Sequence, residues 1–88
     1  MAFDLDRAYR LNPAVALRQE SFGALAYHFG NRRLSFMKSR ELVTVVRSLG
    51  SHLSAADALD AAGVPAGQRA RYAAALAALA DSGVIDAR

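Results

Sequence analysis

Two histidines, a few serines and eight carboxylates are the side chains from which this sequence could assemble a reactive site. Metal binding needs several nitrogen, sulfur or oxygen ligands converging at fixed spacing. His28 and His52 have neither a second histidine nor a carboxylate at such spacing, and His28 falls in a strand, where a surface or packed role suits it. Ser21, Ser35, Ser39 and Ser54 lack the strand–turn–helix context that activates a nucleophilic serine, and the last two stand where helices begin. Gly23, Gly30 and Gly50 are scattered turn residues, not a phosphate-cradling loop. The carboxylates fall at caps and surface positions, with no pair held on one buried face for acid–base work. Cysteine is absent, which removes disulfides, thiolate zinc sites, iron–sulfur ligation and cysteine nucleophiles together. The residues therefore describe a non-enzyme holding no metal and no cofactor.

Binding chemistry remains. The formal charge is +3, but residues 1–50 carry eight Lys/Arg against four Asp/Glu, and residues 51–88 three against four. A basic first half can attract an anionic partner, whether nucleic acid or an acidic peptide. Eighty-eight residues make one domain, 1–88, with a modest core. Asp4, Asp6, Arg7 and Arg10 give the wrong pattern for a signal peptide, and no apolar run approaches the ~20 residues that cross a bilayer. A soluble, cytoplasmic protein without a membrane partner is expected.

The elements that position any binding residues can be read in order. Residues 1–13 form an irregular lead-in closed by Asn12-Pro13. Residues 14–37 form a β-meander. Val15 and Leu17 alternate with Ala16 and Arg18, Glu20-Ser21 marks a tight connection, and Gly30-Asn31 suits a two-residue II′ hairpin turn. That turn sets Phe29 opposite Arg32, Tyr27 opposite Leu34 and Leu25 opposite Phe36. These residues share one strongly apolar face, expected to be the core face. Phe22, Ala24, Ala26, His28, Arg33, Ser35 and Met37 make the wetter one. From Ser39 the period changes to 3.6, and residues 39–82 form three helices. Leu42, Val45, Val46 and Leu49 line the first, behind Ser39 as N-cap. Ser54 caps a second that Gly63 ends, and Pro65 precedes a third with Tyr72, Leu76 and Leu79 as its stripe and Gly83 as its terminator. Thirteen alanines within residues 55–80 favour helix and leave little volume, through tight helix contact, compositional bias or a groove beside the third helix. The fold class is α+β: a three-stranded antiparallel sheet followed by three helices, winged-helix-like.

The third strand, residues 32–37, lies at a sheet edge whose outer N–H and C=O groups have no partner within the meander. A peptide receptor would pair an extended segment there, with the third helix as the facing wall. A winged-helix DNA binder would instead use Gln68, Arg69 and Arg71 on a recognition helix and Arg32 and Arg33 as its wing, a short list for gripping a phosphate backbone. A dimerisation module would pair the same edge with itself, making a homodimer.

The segments Leu11-Asn-Pro-Ala-Val-Ala-Leu-Arg-Gln-Glu20, Phe22-Gly-Ala-Leu-Ala-Tyr-His-Phe-Gly-Asn-Arg-Arg-Leu34 and Lys38-Ser-Arg-Glu-Leu-Val43 resemble the small peptide chaperones of mycofactocin biosynthesis. That family is related to the peptide chaperone of pyrroloquinoline-quinone biosynthesis. The likeness spans residues 11–86 and is most specific in the hairpin. It implies a chaperone that binds the leader of a ribosomally made precursor peptide and presents it to a radical S-adenosylmethionine enzyme, which carries the iron–sulfur clusters. It implies leader binding on Arg32, Arg33, Leu34, Ser35, Phe36 and Met37, with Lys38 beside them. The facing helix falls on roughly residues 66–80, where Tyr72, Ala73, Leu76 and Ala77 are the candidate wall. Nucleic acid is not an expected partner.

Overall fold

The alternation in residues 14–37 becomes a three-stranded meander in the computed structural model, which describes residues 3–88. In chain order the elements are β1 (Tyr9–Leu11), β2 (Val15–Glu20), β3 (Gly23–His28), β4 (Leu34–Met37), α1 (Arg40–Ser48), α2 (Ala55–Ala61), α3 (Arg69–Asp81) and β5 (Ile85–Ala87). Short 3₁₀ turns at Leu49–Ser51 and Ala66–Gln68 lead out of α1 and into α3. The antiparallel sheet has the order β2-β3-β4, and the three helices follow it, giving the α+β architecture read from the sequence.

The register is the expected one, with Tyr27 paired to Leu34 and Leu25 to Phe36. The faces are reversed. Ala24, Ala26 and Met37 are fully buried, whereas Tyr27, Phe29, Leu34 and Phe36 are exposed. Volume explains the inversion. Alanines on β3 let α1 pack close to the sheet, so Val43, Val45, Val46 and Leu49 fill the space that larger side chains would need. Leu59, Leu76, Leu79, Val84 and Ile85 complete the core.

The hairpin turn also differs from the two-residue loop expected. His28 N–H donates to Arg33 C=O at 3.0 Å and Arg32 N–H to His28 C=O at 2.7 Å, closing a four-residue loop over residues 29–32. Arg32, at φ 61°, takes the left-handed conformation, while Gly30 does not. Phe29 does not pair with Arg32; its N–H donates across to Ala14 C=O at 2.8 Å. His28 holds the loop, its Nδ1 accepting from the N–H groups of Gly30 (2.9 Å) and Asn31 (3.2 Å). Asn31 Nδ2 donates to Ser82 C=O at 3.2 Å, tying the loop to the end of α3.

The lead-in is not irregular throughout. Residues 9–11 form β1, which pairs antiparallel with β5 from Tyr9–Ala87 to Leu11–Ile85. Gly83, at φ 82°, ends α3 in a Schellman turn: its N–H donates to Ala80 C=O (3.1 Å) and Val84 N–H to Leu79 C=O (2.9 Å). That reversal drives Val84 and Ile85 into the core and delivers β5 to β1. Ser39 and Ser54 cap α1 and α2, accepting from Leu42 N–H (3.1 Å) and Asp57 N–H (3.0 Å).

Candidate functional site

β4 is an edge strand, so half of its main-chain groups face away from β3. The bond from His28 N–H to Arg33 C=O fixes which half. Antiparallel pairs alternate between bonded and non-bonded, so Ser35 and Met37 turn their N–H and C=O groups inward to β3, as Arg33 does its C=O, while Arg33 N–H donates to Asn31 Oδ1 at 2.9 Å. Leu34 and Phe36 turn theirs outward. Gly23 reinforces the inward phase: a Cβ there would lie 2.0 Å from Met37 O, so only glycine lets the strands meet at this end.

Beside the far end of β4 lies a groove of about 580 Å³. One wall is Phe36, Lys38, Ser39, Glu41 and Leu42, running from β4 into the first turns of α1. The turn at residues 62–65 also lines it. The opposite wall is Gln68, Arg71, Tyr72 and Ala75, one face of the third helix and the turn leading into it, at the spacing i, i+3, i+4, i+7. Phe36, Leu42, Val64, Tyr72 and Ala75 make the groove apolar, while Lys38 and Arg71 supply cations at its mouth. Glu41 is the carboxylate among its lining residues. Its own backbone N–H, then the Ser39 hydroxyl (3.0 Å), then nearby Arg40 hold its carboxyl below the usual glutamate range. The groove can thus take an extended chain carrying apolar side chains with an acidic group nearby.

Of the residues singled out from the sequence, Phe36, Lys38 and Tyr72 line this groove. Leu34 is exposed on β4, and Ser35 beside it is half-buried. Arg32 and Arg33 are exposed at the hairpin loop. Met37 and Leu76 have fully buried side chains that belong to the core. Ala73 and Ala77 are half-buried and do not line the groove; Ala75 and Arg71 present the groove face of α3 instead. Of the expected wall of Tyr72, Ala73, Leu76 and Ala77, Tyr72 alone lines the groove; Leu76 points into the core and the groove face lies around the helix from it. Spacing alone could have found Gln68, Arg71 and Ala75 as one face with Tyr72. Leu42, Glu41 and Val64 come from the close approach of segments distant in sequence, which carries no local signal.

His28 is half-buried and its Nε2 lies 3.3 Å from Asn12 Nδ2, so it serves the hairpin's structure. Among the described residues no group of three His, Asp or Glu could hold a metal ion, and no helix is long and apolar enough to cross a membrane. Arg69, a candidate for gripping nucleic acid, is ion-paired with Asp60.

Comparison with known proteins places these features. The model of the peptide chaperone MftB family matches residues 8–86. The protein named Peptide chaperone MftB in Mycobacterium ulcerans is 53% identical over 81 residues, covering 92% of this chain and 74% of that protein. Its namesake in Mycolicibacterium smegmatis is 51% identical over 85 residues, 97% of this chain and 83% of the other. That of Mycobacterium tuberculosis is 46% identical over 83 residues, 94% and 76% respectively. No solved structure matches the chain.

Proposed function

This chain belongs to the peptide chaperone MftB family, and we propose on that footing that it captures the leader of a ribosomally made precursor peptide along β4. It is a peptide chaperone and not an enzyme, as the family and its named members have it. In the finer reading the leader adds as a fourth strand, antiparallel to β4, and pairs with the outward groups of Leu34 and Phe36. Its alternate side chains enter the groove between β4 and α3, where Phe36, Tyr72 and Ala75 supply the apolar contacts. The chaperone then presents the peptide, in the cytoplasm, to a radical S-adenosylmethionine enzyme of mycofactocin biosynthesis. The observation carrying this reading is an unpaired strand edge that runs directly into an apolar groove.

Main-chain bonds supply register and direction, each contributing about 0.5–1.5 kcal/mol net. Selectivity rests on the groove. Lys38 and Arg71 suit an acidic leader residue, although an exposed ion pair is worth at most about 1 kcal/mol. Arg32 and Arg33 extend that attraction toward the hairpin loop. Nucleic-acid binding fits less well, because Arg69 is committed to Asp60 and Gln68 and Arg71 face the groove.

Calorimetric titration with synthetic precursor peptide tests the proposal, with amide exchange followed by NMR. Binding should slow exchange at Leu34 and Phe36. Ala75→Arg keeps a good helix former but fills the groove, and should weaken binding at least tenfold with an unchanged circular dichroism spectrum. Undiminished binding by the folded variant would remove the groove from the site.

A further inference from the structure

The sheet surface turned away from the helices has no covering layer. Phe22 (43% exposed), Tyr27 (37%), Phe29 (63%), Leu34 (52%) and Phe36 (58%) stand together on it. Their rings touch: Phe22 and Phe36 centroids lie 6.3 Å apart, and Tyr27 and Phe29 meet edge to face at 5.1 Å. A contiguous apolar patch of this kind marks an interaction site on a soluble domain, whereas singly scattered apolar residues do not.

We propose that this face is a second docking surface, and that its occupant is the modifying enzyme, through a patch with an apolar centre and a carboxylate rim. The identity of the occupant rests on the reading under Proposed function. Charge selects it. Residues 15–38, which form the sheet and its turns, carry Arg18, Arg32, Arg33 and Lys38 against a single carboxylate, Glu20. Glu20 is itself held by Arg18 at 3.2 Å, and neither Arg32, Arg33 nor Lys38 has an ion-pair partner among the described residues. A second copy laid on the same face would set cationic rim against cationic rim, which disfavours a homodimer there. An acidic rim complements it and speeds encounter. Position points the same way. Leu34 and Phe36 aim their side chains at this face and their main-chain groups at the β4 edge, so a peptide added one strand spacing, about 4.8 Å, beyond β4 borders a protein seated on the face. Client and enzyme would then occupy adjoining surfaces that meet at Phe36 and Lys38.

The test measures binding of purified modifying enzyme, and separately of precursor peptide, to the parent, to Arg18→Glu and to the double variant Tyr27→Glu/Phe29→Glu. None of these residues contributes to the β4 edge or the groove. The expected result is peptide affinity within about twofold of the parent throughout, at least tenfold weaker enzyme binding by the double variant, and a severalfold loss with Arg18→Glu that shrinks as salt is raised. Undiminished enzyme binding by the double variant overturns the inference. A parent that binds peptide but never the enzyme overturns the hand-over reading and this inference with it. Sedimentation showing a parent dimer that the double variant dissolves would assign the face to a second copy and overturn it. So would pelleting of the parent, but not the variant, with vesicles containing phosphatidylserine when enzyme affinity is unchanged. Should the double variant lose its circular dichroism spectrum, Phe29→Ser, at the most exposed ring of the patch, is read in its place by the same criteria.

Discussion

Single positions carry more of this fold than their size suggests. Gly23 combines φ 149° with a strand so near that a Cβ would meet Met37 O at 2.0 Å. Gly23→Ala must open the β3–β4 end or distort it, and should cost about 1–3 kcal/mol, read as a lower urea midpoint. Glu41 makes a pH-dependent contribution. Its carboxyl titrates below its unfolded value, so the stabilisation it brings to the start of α1 is complete above the usual glutamate range. That stabilisation is lost as pH falls through the lower folded value. Glu41→Gln should therefore lower stability slightly at neutral pH and converge on the parent at the acid end, flattening the profile between them, which thermal melts across pH would show.

At the level of elements, the phase of β4 makes a contrast between neighbours. Ser35 N–H faces β3, so Ser35→Pro should break the hairpin ladder and lower the melting temperature. Phe36 N–H faces outward, so Phe36→Pro should keep the sheet yet bind leader severalfold more weakly than Phe36→Ala, which removes the ring alone. Equal affinities for those two variants would argue against main-chain pairing at the edge. The hairpin also shows what sequence can and cannot express. Its register was legible, because alternation on both sides of Gly30-Asn31 fits one pairing. Its orientation was not, because apolarity ranks Leu25, Tyr27 and Phe36 above Ala24 and Ala26, while packing against α1 needs the smaller residues. The caps at Ser39 and Ser54 were legible for the opposite reason: a cap is decided within four residues.

For the molecule as a whole, the ribbon of β1 and β5 joins segments that sequence reading cannot connect. Each strand has three residues, too few to show alternation, and Leu11 meets Ile85 from the far end of the chain. The groove was half legible on the same grounds. Phe36, Lys38 and Tyr72 were found, but the wall that Ala75 and Leu42 complete exists only once α1 and α3 face each other. Ile85 is fully buried between the ribbon and the core, so Ile85→Ala should destabilise the protein by about 2–5 kcal/mol, measured by denaturant titration. A loss under 1 kcal/mol would mean that the ribbon is peripheral to cooperative folding.

The outward row of groups on β4 has a further consequence, for how much folded protein a cell can keep. An unpaired edge is a template for any extended chain, including unfolded copies of the protein itself. A ligand that binds only the folded form stabilises it by mass action, by about 2.7 kcal/mol when its free concentration is one hundred times Kd. The client peptide would supply that stabilisation while capping the template. Expressed without its client, the chaperone should give lower soluble yield and shorter half-life than when both are made together. In that sense the client keeps its chaperone folded.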